Sequence, residues 1–157
     1  MNATGLANER TVSLTRAFDA PRELVYRMWT DPKHMAQWWG PKGFSNPVCE
    51  MDVRAGGKMR IDMRAPDGTV YPMTGVFHEV VPNKRLVFTA VAEESDGRPQ
   101  LTSHTIVTFE ESAGKTTVFV YANALGLAPV APQMLAGMEQ GWSGSLDRLA
   151  ELVARVR

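Results

Sequence analysis

The stretch "APQMLAGMEQGWSGSLDRLAELVARV" (residues 131–156) has the pattern of a long amphipathic helix near the end of the chain. Met134, Met138 and Trp142 follow one another at intervals of four residues, and later leucines and valines continue this apolar stripe. We predict one continuous helix over about residues 131–155. At ~1.5 Å per residue it would be on the order of 35 Å long, which is enough to lie across a whole sheet.

The chain before this helix has the pattern of a sheet. The segment "KMRIDMR" (residues 58–64) alternates apolar and charged residues, which is typical of a strand with one buried face. Similar segments recur up to residue 124, and turn signals such as Asp67-Gly68 separate them. A further strand is predicted at residues 10–18, and two short helices with proline at their starts follow it.

These elements predict an α+β fold in one domain, residues 1–157. Short connections make the strands a largely antiparallel meander, and the sheet must cover its apolar face. The terminal helix is the element long enough to do so, so we expect a curved sheet wrapped around it. The first residues, about eight of them, are expected to be flexible.

Three glycines, Gly137, Gly141 and Gly144, interrupt the predicted helix. Each costs roughly 1 kcal/mol relative to alanine in a helix interior. They allow either a close approach of the helix backbone to the sheet or a partner, or a hollow between helix and sheet that Trp142 covers. Tight packing over the glycines would support the first interpretation and a void the second, and the sequence leaves both open.

The composition argues against several classes of partner. Seventeen basic and seventeen acidic side chains give a net charge of zero, so no overall field attracts nucleic acid or an anionic membrane. The N-terminal stretch lacks the pattern of a secretory signal, and no apolar run approaches the ~20 residues that span a bilayer. One cysteine, Cys49, favours a reducing compartment, so we predict a cytoplasmic protein.

Three segments together carry a family resemblance. They are "FDAPRELVYRMWTDPKHMAQWWGPKGF" (residues 18–44), "CEMDVRAGGKMRIDMRAPDGTVYPMTGVFHEVVPNKRLVFT" (residues 49–89) and "GWSGSLDRLAELV" (residues 141–153). The chain resembles the SRPBCC superfamily, also called START-like or Bet v 1-like, and within it the AHSA-type branch. The resemblance implies a helix-grip fold that encloses an apolar cavity. It does not imply one function, because the superfamily includes carriers, cyclases, hydrolases and chaperone cofactors.

We predict that the chain binds a hydrophobic or aromatic small molecule in that cavity. Apolar walls with one or two polar groups are the usual form of such a site. Tyr71 and His104 are the expected orienting groups. The predicted cavity residues are Trp39, Met63, Tyr71, Met73, Phe77, Phe88, His104, Met138 and Trp142.

No catalytic constellation is recognisable in the sequence. "GWSGS" (residues 141–145) superficially matches a nucleophile motif, but it lies within a helix and lacks the required strand-to-helix elbow. No His, Cys or carboxylate pair has metal-ligand spacing, so we expect no metal and no cofactor. The alternatives are a cyclase- or hydrolase-like enzyme with His104 as base and Tyr71 as donor, and a chaperone-partner or dimerisation module. A homodimer is plausible because open sheet edges invite pairing.

Two adjacent tryptophans, Trp38 and Trp39, lie before the turn at Gly40-Pro41. Neighbouring side chains point in different directions, so the pair is expected to divide its roles. One should anchor the short helices to the core, and we predict that Trp39 is the one facing the cavity entrance.

Overall fold

The computed structural model describes residues 8–94, 96–127 and 131–156, so most of the N-terminal segment predicted to be flexible lies outside the described residues. The strands are β1 (Glu9–Phe18), β2 (Ser45–Met51), β3 (Lys58–Arg64), β4 (Val70–Val81), β5 (Arg85–Glu93), β6 (Pro99–Ser112) and β7 (Lys115–Gly126). The helices are α1 (Arg22–Thr30), α2 (Pro32–Trp38), α3 (Ala131–Ala136) and α4 (Met138–Val156).

The strands form one seven-stranded sheet with the order β1-β7-β6-β5-β4-β3-β2. Every neighbouring pair is antiparallel. Helices α1 and α2 follow the first strand, and α4 packs against β1, α1 and α2. The predicted α+β class and helix-grip architecture are therefore confirmed.

Side-chain alternation and helix signals account for these elements. In β3, Met59 and Ile61 are buried while Lys58 and Arg60 are exposed, as the period of two requires. Helix α2 begins after Asp31, whose carboxylate accepts a hydrogen bond from the backbone N–H of Lys33 at 2.9 Å. This cap fixes the start of the helix that ends at the tandem tryptophans.

Helix α4 covers the inner face of the sheet. Its residues Leu146, Leu149, Leu152 and Val153 are buried in the main core. Two ion pairs join the same helix to β1, from Arg10 to Glu139 and from Arg16 to Asp147. None of the described helices combines the length and the apolar character that a membrane crossing requires.

The terminal helix is divided at Gly137, so the prediction of one continuous helix is wrong at this residue. Helix α3 ends at Ala136 and α4 begins at Met138. Hydrogen bonding still crosses the break, because the N–H of Gly137 donates to the carbonyl of Gln133 at 3.2 Å. Glycine is the weakest ordinary helix former, which is the physical reason for a break at this position. The remaining 19 residues of α4 give a length of roughly 28 Å.

The glycines of the terminal helices are not explained by close packing. A Cβ atom added to Gly141 or Gly144 would meet no atom within 4 Å apart from the neighbouring backbone of its own helix. At Gly137 the nearest atom is the carbonyl oxygen of Gln133, 3.8 Å away in the same helical segment. The interpretation that the helix approaches the sheet closely at these residues is therefore wrong, and open space lies beside Gly141 and Gly144.

Candidate functional site

A cavity of about 230 Å³ lies between the inner face of the sheet and the terminal helices. The sheet forms its floor, α3 and α4 form its roof, and the loop after α2 forms one wall. Pro41 and Gly141 border both this cavity and a groove on the molecular surface. The loop and the helix therefore meet at the boundary between cavity and solvent.

Small side chains make the floor of the cavity. Ala90 of β5, Ser103 of β6 and Ala124 of β7 are paired across the three neighbouring strands and line the cavity together. Residues directly opposite one another in antiparallel strands lie on the same face of the sheet. Three short side chains in one row leave a depression in the floor, and Ala92 extends it along β5.

The roof combines one glycine with large apolar side chains. Met138, Gly141, Trp142 and Ser145 line the cavity from α4. Counted from Met138, the other three lie three, four and seven residues later, which places all four on one face of the helix. Met134 of α3 also lines the cavity. The missing side chain at Gly141 leaves the space between its larger neighbours open.

All four tryptophans of the chain form one cluster beside the cavity. The rings of Trp39 and Trp142, which both line the cavity, meet edge to face with their centroids 5.4 Å apart. Trp29 stacks on Trp142 at 6.2 Å and also contacts Trp38 at 4.7 Å. The cluster forms an aromatic side of the cavity.

The tandem tryptophans have different environments. Trp38 is fully buried, and its indole N–H donates to the carbonyl of Met28 at 2.9 Å. Trp39 is 9% exposed and contributes to the cavity lining. Trp38 thus joins α2 to α1, while Trp39 forms part of the cavity wall.

Arg148 of α4 binds the loop that carries Trp39. Its Nη1 donates to the carbonyl oxygens of Trp39, Gly40 and Pro41 at 2.9–3.0 Å, and its Nη2 donates to that of Gln37 at 3.0 Å. Hydrogen bonds from a charged donor are stronger than neutral ones. The guanidinium therefore fixes the cavity wall to the roof helix.

Arg148 is partly buried against this loop, and Asn46 also binds the loop. Burial lowers the pKa of the Arg148 guanidinium, although the charge of Glu151 acts in the opposite direction. The side-chain amide of Asn46 donates to the carbonyls of Ala36 and Trp39, both at 2.9 Å. The Trp39 carbonyl thus accepts from both sides, which holds the loop in one position.

The cavity lining contains no charged side chain among the described residues. Its polar side chains include the hydroxyls of Ser103, Thr105 and Ser145. None of these hydroxyls forms a side-chain hydrogen bond with another described residue. The arrangement provides apolar contact and a few hydrogen-bonding groups, without an acid or base for catalysis.

Comparison with known proteins agrees with this architecture. The model of the family described as "Activator of Hsp90 ATPase homolog 1-like protein" matches residues 19–154. The chain belongs to this family. No curated protein matches at a significant level.

Several solved bacterial structures share the fold along nearly the whole chain. The AHSA1 protein from Silicibacter pomeroyi is 26% identical with a TM-score of 0.78, covering 94% of this chain and 100% of its own. A protein from Chromobacterium violaceum is 28% identical with a TM-score of 0.76, covering 91% and 96% respectively. A protein from Nitrosomonas europaea is 27% identical with a TM-score of 0.75, covering 95% and 96%.

The predicted site residues of this AHSA1-family chain separate into two groups. Those that line the cavity are Trp39, Met63, Met73, Phe88, Met138 and Trp142. The remaining three, Tyr71, Phe77 and His104, lie outside the lining.

The prediction that His104 faces the cavity is wrong. His104 is exposed, and it is paired with Thr89 of β5 and Asn123 of β7 on the outer face of the sheet. Its neighbours Ser103 and Thr105 point to the inner face instead. Thr105 is buried and His104 is exposed, so the odd-numbered residues of this part of β6 face the cavity.

Tyr71 and Phe77 do not line the cavity, for different reasons. Tyr71 lies opposite Met63 but is 37% exposed, and its ring is 6.3 Å from that of Phe44. It is therefore beyond the cavity lining. Phe77 is 1% exposed and packs edge to face against Phe88 at 5.9 Å, so it belongs to the core.

Sequence reasoning missed the small residues that create the space. The floor alanines and the hydroxyls of Ser103 and Thr105 were not predicted as site residues. A signal was available in β6, where Val107 and Phe109 are apolar and Glu110 is charged. Counting back in steps of two from Phe109 places Thr105 and Ser103 on the buried face.

A larger depression of about 710 Å³ lies on the outer face, across β2 to β5. Charged side chains such as Glu50, Lys58 and Arg60 line it. Arg60 pairs with Asp62 at 3.2 Å, and the Arg60 side chain is half exposed. Exposed charges of both signs, with Arg60 already paired, favour open surface over a ligand site.

The described residues hold no group of three His, Cys, Asp or Glu side chains that could bind a metal ion. Cys49 is half-buried, and burial, reinforced by the charges of Asp31 and Glu50, raises the pKa of its thiol to about 11. The thiol is therefore protonated at neutral pH and is a poor nucleophile.

Proposed function

We propose that this AHSA1-family protein binds a hydrophobic or aromatic small molecule in the cavity between its sheet and its terminal helices. The observation that carries the proposal is the hollow beside Gly141, which has an aromatic wall and a floor of short side chains. A helix that served packing alone would have no need of a glycine facing empty space, since alanine is the better helix former.

The chemistry of the lining favours binding over catalysis. Apolar surface removed from water contributes roughly 25 cal/mol per Å², before the cost of ordering the ligand is subtracted. The enzyme alternative depended on His104 and Tyr71, which both lie outside the cavity lining. Without them the described cavity offers hydroxyl groups as its polar side chains, so a general base is missing.

The partner-binding alternative would use the outer face. Phe119 and Tyr121 are exposed there on β7. The family name refers to an activator of an ATPase, which is compatible with such a surface. Binding a partner protein on the outer face does not require an internal hollow. The cavity therefore favours small-molecule binding over the partner-binding alternative.

The proposal includes a cytoplasmic location and the possibility of a homodimer. The single, protonated Cys49 suits a reducing compartment. The outermost strands of the sheet, β1 and β2, supply edges on which a second copy can pair. Size-exclusion chromatography with light scattering tests the dimer directly.

Thermal shift and native mass spectrometry with naphthalene and indole test the proposed function. A ligand at one hundred times its Kd stabilises the folded state by about 2.7 kcal/mol, which raises Tm by roughly 5–10 °C for a chain of this size. Native mass spectrometry should show one bound molecule per chain. No shift with either compound, together with no bound mass, contradicts the proposal.

A matched pair of glycine variants assigns the binding to this cavity. Gly141→Met places a flexible side chain on the cavity-lining face of α4, and it should abolish the thermal shift. Gly144→Met lies next to the surface groove and should retain the shift. Equal binding by both variants would show that the compounds bind elsewhere.

A further inference from the structure

The inner face of β6 carries hydroxyl groups that the protein itself leaves without side-chain partners. Thr105 is 2% exposed and lines the cavity, and Ser103 lines it two residues earlier on the same strand. Neither hydroxyl forms a side-chain hydrogen bond with another described residue. A hydroxyl can both donate and accept, so these two groups form a polar strip in an otherwise apolar floor.

Among the described residues, the charged groups around the cavity either bind other groups of the protein or lie outside the cavity lining. Arg148 donates to four backbone carbonyls of the loop, and Arg10 and Arg16 pair with carboxylates of α4. Lys42 is exposed and lies beside the surface groove, outside the cavity lining. A carboxylate or ammonium group inside the cavity would lose its hydration without gaining an opposite charge.

We infer that the cavity selects an electrically neutral compound of one or two rings that carries a hydrogen-bonding group held by Ser103 and Thr105. The inference rests on the proposed function and names its ligand class. The rings lie against the indoles of Trp39 and Trp142, and the polar group contacts β6. A cavity of about 150 Å³ in a protein core can bind benzene, so one of about 230 Å³ suits a slightly larger molecule.

Isothermal titration calorimetry at pH 7 with four naphthalene derivatives tests the inference. Naphthalene against 2-naphthol measures the contribution of the polar group. 2-Naphthamide against 2-naphthoate measures the contribution of charge, because the two are nearly equal in size. We expect 2-naphthol to bind about three- to tenfold more tightly than naphthalene, and 2-naphthoate at least about 100-fold more weakly than 2-naphthamide.

Variants of β6 assign the polar preference to its hydroxyls. Thr105→Val keeps the shape and removes one of the two hydroxyls, so the preference for 2-naphthol should fall at least about twofold while naphthalene binding is unchanged. Thr108→Val is the matched control, because Thr108 lies on the outer face opposite Arg85 and Phe119. Ser103→Ala provides a second cavity variant in case Thr105→Val is unstable.

The outcomes separate the inference from the proposed function. If none of the four compounds binds, both fail. Two other outcomes contradict the inference and leave the proposed function standing, provided that naphthalene binds. The first is that 2-naphthoate binds with the same affinity as 2-naphthamide. The second is that Thr105→Val and Ser103→Ala both keep the full preference for 2-naphthol.

Discussion

The guanidinium of Arg148 donates to the carbonyl oxygen of Trp39 at 3.0 Å, so one residue of the roof helix fixes the wall of the cavity. The same guanidinium reaches the carbonyls of Gln37, Gly40 and Pro41. The position of the Trp39 indole is therefore set by a contact outside the cavity.

Replacing Arg148 with methionine should destabilise the protein by about 1–3 kcal/mol, because several carbonyls lose a charged donor. The Arg148→Lys variant keeps the positive charge and should recover part of this stability. The recovery should be incomplete, because an ammonium group lacks the forked geometry of the guanidinium. Urea unfolding measures the difference. The control is Arg155→Met, an exposed residue near the end of α4, and its change should stay within about 0.5 kcal/mol.

Alanine at Gly141 or at Gly144 should stabilise the protein by about 0.5–1 kcal/mol, because both positions lie within a helix and a Cβ meets open space. Gly57→Ala should instead destabilise the protein, since a Cβ there would clash with the backbone oxygen of Asp52. Thermal unfolding distinguishes the two cases. A loss of stability in Gly141→Ala would show that the helix packs closely at this residue.

Ligand binding should change the intrinsic fluorescence, because two of the four clustered tryptophans line the cavity. Titration with naphthalene should alter emission in the wild type, and Trp142→Phe should reduce the change. Trp29→Phe removes a buried indole outside the lining and should retain most of it. An unaltered response in Trp142→Phe would argue that the ligand does not reach the aromatic wall.

The free energy of unfolding should fall as the pH rises from about 8.5 to 10. Burial raises the pKa of the Cys49 thiol to about 11 in the folded protein, whereas an unfolded thiol ionises near ~8.5. The unfolded chain thus loses its proton first, and the stabilisation is lost with rising pH. Cys49→Ala should show a shallower decline over this range in urea melts. Burial also raises the pKa of Tyr26, but an unfolded tyrosine ionises at pH ~10. Tyr26 therefore lowers the free energy of unfolding only above about pH 10.

The fold was predictable because its elements have clear periods. The alternation in β3 and the apolar stripe of the terminal helix define the two layers without reference to any contact. The break at Gly137 was not predicted, since a glycine can be tolerated within a helix or can end one. Tertiary contacts on each side decide between these outcomes.

The site was harder to predict, because the cavity exists where side chains are too short to fill the space between sheet and helices. Large apolar residues such as Met138 and Trp142 are visible in the sequence, and they do line the cavity. Phe77 has the same character and lies in the core. The space itself comes from Ala90, Ser103 and Ala124 meeting in one row, which depends on the register of three strands. Short side chains give no periodic signal of that register.

The row of Ala90, Ser103 and Ala124 has an evolutionary consequence. The strands that carry these residues are held together by backbone hydrogen bonds, which are indifferent to side-chain size. A few exchanges among small residues can therefore reshape the interior while the chain keeps its architecture. Solved structures 26–28% identical to this chain retain the fold. Under the proposed function, resizing a handful of floor positions would change which ligand fits while the architecture is kept.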